Sequence, residues 1–336
     1  MPQQDDSNGG MDGVGKTAAT IQAYLHRGRL LWQRAALEGG VNAIEVLPTV
    51  FLAWLEKFLP TVKPATRRQY LASAKELLLM LESANLSSNG GQDNLEAAIC
   101  RISGMRSRDY TSGAKTTRWR GRTSSQKAKW ISWDDLRTLA RESRYMHGKW
   151  IKPALLWLGT NILVGLRPSE WRHAYLDEQG SKVTLVVWNA KNTNGRGHGE
   201  KRHIDVTGLG SKAVNRIREQ IQSASQHAGD DTAWNTYYAG VRNAIHQITR
   251  KFLPNQRKYP TLYSSRHQFA ANAKSSGMCK LEVAALLGHA VDDTASSHYG
   301  KKKHGSGGCR VQADSQEMER VRIKSPTQPA ERSEMK

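Results

Sequence analysis

The chain has 336 residues, 38% of them hydrophobic, and carries 50 Lys+Arg against 30 Asp+Glu, a formal net charge of +20. That length accommodates two domains with proper cores. The positive excess resists compaction unless a polyanion neutralises it, which puts nucleic acid ahead of an anionic membrane as the partner.

No run of about twenty apolar residues occurs, and the N-terminus lacks the basic-then-apolar order of a secretory signal. Cys100, Cys279 and Cys309 lie far apart without C-x-x-C pairing, so neither a disulfide framework nor a cysteine zinc site is expected. The expectation is a cytoplasmic protein without a membrane partner.

Residues 10–17, GMDGVGKT, satisfy the G-x-x-x-x-G-K-[ST] spacing of a phosphate-cradling loop. Such a loop works only where a buried strand feeds it and a helix follows, because its backbone N–H groups must be held rigidly. Here the polar MPQQDDSNG precedes it. Residues 1–16 are therefore expected to be a disordered arm, with no nucleotide cofactor.

From 17 to 112 the pattern predicts a small helical domain of four or so helices. LPTVFLAWLEKFLP is a short amphipathic helix bracketed by Pro48 and Pro60. In KPATRRQYLASAKELLLMLES, Thr66 is a candidate N-cap, and Tyr70, Ala74, Leu77 and Leu81 recur on one face. Arg67, Arg68 and Lys75 fall mainly off that stripe, on a basic outer face. NLEAAICRIS supplies another helix. The stretch from 105 to 129, MRSRDYTSGAKTTRWRGRTSSQKAK, is basic and without periodicity. It reads as a linker, assigned to 113–129, of a kind that can lie along a phosphate backbone.

A larger domain is expected over 130–304. Ser132 caps the helix of WISWDDLRTLARESR, and KPALLWLGTNILVG is a buried helix ended by Gly165. SKVTLVVWNAK and KRHIDVTGL read as two strands joined by NTNGRGHGE, and helices return from about 211. The chain beyond Tyr299 is polar, and 305–336 is expected to be a flexible tail. The fold class is mainly α with a small β-hairpin or sheet.

Four separated pieces of this second domain carry chemistry. Arg167 lies in VGLRPSEW, between a helix ended by Gly165 and one that Pro168 can begin. Lys191 closes the strand TLVVWNAK. Arg266, in LYSSRHQFA, opens a helix after the candidate cap Ser264. His289, in VAALLGHAVDDTASSHYG, precedes Tyr299 by ten residues. The order G-L-R-x-S-E, hairpin lysine, R-H-x-F-A, L-L-G-H and late tyrosine resembles the tyrosine recombinases, the phage-integrase family.

That resemblance covers most of the second domain and implies a two-domain DNA clamp with residues 17–112 as the core-binding domain. It implies a site-specific recombinase of a bacterial mobile element, phage or resolution system, working on double-stranded DNA. Four protomers would assemble on two DNA sites, exchanging C-terminal segments, with a partner recombinase or DNA-bending protein as a further possibility. Tyr299 would be the nucleophile and Lys191 the general acid. Arg167, Arg266 and His289 would bind the phosphate, since two guanidinium forks neutralise its developing charge without a metal.

Two positions depart from the family's pattern or compete within it. Tyr263 stands where a histidine is usual, and tyrosine is a poor general base near neutral pH. Lys201 competes with Lys191 as the hairpin acid. Glu170 is assigned to orienting Arg167, and His298 to no role. There is no H-x-x-x-H pair or compact acidic cluster, so no metal is expected. Two other readings are a catalytically weak accessory protein of the same fold, which Tyr263 motivates, and a type IB topoisomerase-like relaxing enzyme.

Overall fold

Proline at the first helical position opens two of the helices that build the N-terminal part of the chain, where its missing N–H costs nothing. The computed structural model describes residues 16, 18–84, 92–105, 127–190, 199–294 and 299–324. The chain divides into two compact units, Met1–Gly121 and Arg122–Lys336.

The first unit contains α1 (Ala18–Gly39), α2 (Pro48–Phe58), α3 (Pro64–Ser83) and α4 (Gln92–Gly104). Leu31, Phe51, Leu52, Leu55, Leu71, Ala74, Leu78, Leu95 and Ile102 form its core. Helix α3 starts at Pro64 with Lys63 at the N-cap, three residues before the position expected from Thr66. Proline fixes φ for the first turn, which decides the start ahead of a threonine. Arg67 is not on an outer face: it is buried, and its guanidinium donates to the carbonyls of Leu59, Pro60 and Val62. It ties down carbonyls of the turn that follows α2. Of the GMDGVGKT stretch only Lys16 is among the described residues, and its ammonium pairs with the Glu76 carboxylate.

The second unit begins with α5 (Trp133–Glu142) and α6 (Ile151–Val164). A sheet follows: β1 (Tyr175–Gln179), β2 (Lys182–Trp188) and β3 (Lys201–Asp205). Four more helices come next: α7 (Ser211–Ser225), α8 (Asp231–Phe252), α9 (Leu262–Ser275) and α10 (Lys280–Leu286). The unit ends with β4 (Gln312–Ala313) and α11 (Ser315–Glu319). Ser132 caps α5 as expected, its hydroxyl accepting from the Asp135 N–H while the Asp135 carboxylate accepts from the Ser132 N–H. Apolar nearly all round, α6 is the central helix. Trp157 on it lies against Trp171, Trp234 and Tyr237.

The sheet is antiparallel with strand order β1-β2-β3-β4. The expected hairpin is its middle. Strand β1 escapes a pattern search because its residues, YLDEQ, are almost all exposed. Strand β4 pairs Ala313 with Ile204 and Gln312 with Asp205.

That last pairing corrects the reading of 305–336 as a tail. Residues 305–324 are packed on the second unit: Val311 is fully buried, and Val321 lies against Ala284 and Ala285. Beside α10, the Arg322 N–H donates to the Ala290 carbonyl at 2.9 Å. The anchors are single apolar residues between polar ones, too sparse to show periodicity. Residues 325–336 lie outside the described part, as do 106–126, which include most of the expected linker.

Truncating Val311 to Ala is expected to cost about 2 kcal/mol of stability, read from chemical denaturation of the full-length chain; a flexible tail would show no change.

Candidate active site

The site is assembled where α6, α9 and α10 converge with the sheet. Helix α6 ends on Gly165 in the left-handed conformation (φ 67°), which turns the chain so that Arg167 enters a 3₁₀ turn, Pro168–Arg172. Helix α9 starts one turn earlier than expected. Thr261 is its N-cap and Ser264 its third residue, whose hydroxyl accepts from the Thr261 N–H at 2.9 Å. Arg266 is thereby carried into the second turn, facing the interior. His289 follows α10 across Gly288.

Arg266 is fully buried, and its donors converge on four groups. Nη1 donates to the Gly165 carbonyl and Nη2 to that of Leu287, both at 2.6 Å. Nη2 also lies 3.2 Å from Nε2 of His289, and Nε donates to the Tyr299 hydroxyl at 3.2 Å. A guanidinium has no acceptor, so Nε2 of His289 is the accepting nitrogen and its proton sits on Nδ1. That Nδ1 is buried without a hydrogen-bond partner. Burial, with Arg266, Arg167 and Arg202 nearby, lowers the His289 pKa to about 2, so the ring is neutral.

Arg167 reaches the same place from the 3₁₀ turn. Its Nη1 donates to Oε1 of Glu170 at 2.6 Å and its Nη2 to the Gly288 carbonyl at 3.2 Å. Burial works against its charge, but Glu170, Tyr299 and Tyr263 hold its pKa above the ordinary value. Glu170 is itself fully buried and meets two further guanidiniums, with Arg202 at 2.8 Å and Arg266 at 3.7 Å. Burial alone would raise its pKa; Arg202, Arg167 and Arg266 overcome that and hold it well below the ordinary carboxylate range. Three guanidiniums against one carboxylate leave the pocket an excess of positive charge.

Tyr299 stands among these groups. Its ring centroid is 4.9 Å from that of His289 and 5.0 Å from that of His267, with the Arg266 guanidinium 5.0 Å away. Tyr263 lies one turn before His267 on α9, their rings 6.2 Å apart. Its pKa is raised, chiefly by burial and by Tyr299.

The structure thus brings together Arg167, Arg266, His289 and Tyr299, with Tyr263 beside them. It does not bring Lys201 in: that ammonium lies 4.0 Å over the Trp188 ring, at the base of the hairpin. Lys191 and His298 lie outside the described residues. Among the described residues no group of three or more His, Cys, Asp or Glu comes together to hold a metal ion.

Two residues next to the site are not singled out by the sequence. Arg202 sits between Lys201 and His203 in a run that reads as surface charge. Its signal is period two, since Ile204 faces the core and Arg202 shares its face. His267 is masked by its neighbour Arg266. Its Nδ1 is buried without a partner, and burial with Lys129, Arg266 and Lys274 lowers its pKa to about 4, so it too is neutral.

The fold is that of site-specific recombinases and integrases. XerH site-specific recombinase, in a post-cleavage complex with palindromic difH substrate, is similar over 85% of this chain and 77% of its own, with a TM-score of 0.51 and 13% identity. A lambda integrase tetramer bound to a Holliday junction is similar over 85% of this chain and 75% of its own, with a TM-score of 0.47 and 13% identity. No protein-family model and no curated protein matches the sequence. No described helix is long and apolar enough to cross a membrane.

Replacing Glu170 by Gln strips the three guanidiniums of their counter-charge and is expected to cost about 3–5 kcal/mol at pH 7, read from urea denaturation. Because the folded pKa of Glu170 is depressed, its contribution is complete above its ordinary value of 4.5 and is withdrawn as pH falls below it. The deficit of the variant should therefore shrink in acid; a constant deficit would mean that charge is not what Glu170 supplies.

Proposed function

We propose that this chain is a tyrosine recombinase that cleaves and rejoins double-stranded DNA through a phosphotyrosyl bond at Tyr299. The observation that carries the reading is the Tyr299 hydroxyl on Nε of Arg266, within a pocket where three guanidiniums face one carboxylate. A phosphodiester under attack gains charge on its non-bridging oxygens, and such a pocket stabilises that charge as it develops.

In the cleavage step Tyr299 Oη bonds to phosphorus and the bond from phosphorus to the 5′ oxygen breaks. The tyrosine proton passes to solvent water, and the departing 5′ oxygen takes a proton from a general acid, the role assigned to Lys191. Arg167 and Arg266 neutralise the charge that develops on the phosphate, and Nδ1–H of His289 donates a bond to it. The product is a 3′-phosphotyrosyl link and a free 5′ hydroxyl. Its covalent bond keeps the energy of the phosphodiester, so rejoining to a new strand needs no nucleotide. Tyr263 takes the position of the family's usual histidine and serves as a hydroxyl donor to the phosphate.

The assembly that goes with this chemistry is a tetramer of the chain on two DNA sites, serving integration, excision or resolution of a mobile element. The excess of basic residues supplies most of the affinity through phosphate contacts, so binding should weaken steeply and log-linearly with salt.

The test uses nicked duplexes from the DNA flanking the gene, incubated with protein, denatured in SDS and mapped by peptide mass spectrometry. A nick lets the 5′-hydroxyl fragment diffuse away and traps the adduct. The expected result is a DNA adduct on Tyr299, absent in Tyr299→Phe while DNA binding is kept. Arg167→Lys keeps the charge but loses the fork, and should slow adduct formation by about a hundredfold or more. No adduct despite tight, salt-sensitive binding would assign the chain to an accessory DNA-binding role. Relaxation of supercoiled DNA without exchange between two sites would make it a topoisomerase.

A further inference from the structure

Arg202 is the third guanidinium of the pocket and, unlike Arg167 and Arg266, is assigned no contact with the phosphate. It is 1% exposed, and Nε, Nη1 and Nη2 all bond to groups of the protein itself. Its three donor nitrogens point to three different elements. Nε donates to the Leu286 carbonyl at the end of α10 at 3.0 Å, and Nη2 to Oε2 of Glu170 at 2.8 Å. Nη1 donates to Oδ1 of Asn189, the residue that follows β2.

Asn189 in turn spans the hairpin. Its Nδ2 donates to the Gly199 carbonyl at 2.9 Å and its backbone N–H to that of Glu200 at 2.8 Å. The two chain ends that carry the β2–β3 loop are thus fastened to each other and, through Arg202, to the carboxylate that holds Arg167. Gly288 shows how closely this joint is fitted. A Cβ there would lie 2.7 Å from Oδ1 of Asn189 and 2.9 Å from Nη1 of Arg202, and the residue has a φ of 63°. No side chain fits between the joint and the turn that leads to His289.

An arginine at this place costs desolvation that an apolar residue would avoid. Packing does not require it either, because Ile204 and Leu185 already fill the inner face of the sheet. What it alone provides is a rigid fork joining α10, the 3₁₀ turn and the hairpin.

We propose that Arg202 is a positioning residue which, through Asn189, sets the hairpin against the Arg167–Glu170 pair, so that protonation of the leaving 5′ oxygen is tied to the phosphate-binding arginines. This rests on the recombinase reading above. In that step the bond from phosphorus to the 5′ oxygen breaks as the hairpin acid delivers its proton, and a displaced hairpin fails at that transfer while phosphate binding survives.

The experiment separates leaving-group protonation from everything else. Full-length Asn189→Ala and Arg202→Lys proteins are compared with wild type on two forms of the duplex that wild type cleaves, one with the ordinary 5′ oxygen and one with sulfur in that bridging position. A thiolate leaves without needing a proton. Adduct formation is expected to fall by about tenfold or more on the oxygen duplex and to stay within about threefold of wild type on the sulfur duplex. Equal losses on both duplexes, or no loss on either, overturn the assignment. Should Arg202→Lys lose its cooperative melting transition, Asn189→Ala decides alone, since it leaves every buried charge paired. Failure of the underlying reading is seen separately, as wild type forming no adduct with either duplex.

Discussion

A single buried carboxylate, Glu170, sets the arrangement of the second unit's site. Three guanidiniums converge on it from a 3₁₀ turn, a strand and a helix, and its two oxygens are shared among them. Without that negative charge the arginines would repel one another in a medium that screens poorly. With it they are held at fixed separations while the pocket as a whole stays positive. Glu170 also accepts the backbone N–H of Arg167 at 2.6 Å, so one side chain fixes both the direction of that residue and its charge.

The remaining contacts of the site read as consequences of this constraint. Arg266 has its other donors satisfied by the carbonyls of Gly165 and Leu287, which lie at the ends of α6 and α10. Carbonyls at helix C-termini have no partner in their own helix and carry the negative end of its dipole, so they suit a buried cation. The same guanidinium then decides the state of His289. Beside a permanent donor the imidazole is neutral and keeps a buried N–H without a hydrogen-bond partner. Two neutral histidines flank the Tyr299 ring, and neither adds charge to a pocket that already has an excess.

The convergence of Arg167, Arg266, His289 and Tyr299 is legible in the order and spacing of their motifs, and helix stops such as Gly165 mark their surroundings. Arg202 is not, because its burial depends on strand register, and K-R-H-I-D looks like solvated charge until Ile204 is known to face inward. Arg67 was misread for a related reason. Its aliphatic stem and its donors to carbonyls near the end of α2 serve packing, which charge alone does not reveal. The helical domain is legible in outline, with α2 opening at Pro48 as expected, but the cap of α3 lies three residues before Thr66 because Pro64 sets its first turn. The segment after Tyr299 was least legible, since Val311 and Val321 are isolated apolar residues whose neighbours point to water.

The fourth strand has a consequence for handling the protein. Only two residue pairs, Ile204 with Ala313 and Asp205 with Gln312, cover the outer edge of β3. Take that cover away and the sheet ends in open N–H and C=O groups, which invite the strand of any other chain. A shortened version made to simplify the molecule would thus trade a modest packing contact for a surface prone to self-association. Solubility, a property usually credited to the abundant lysines and arginines, is here guarded by a strand two residues long.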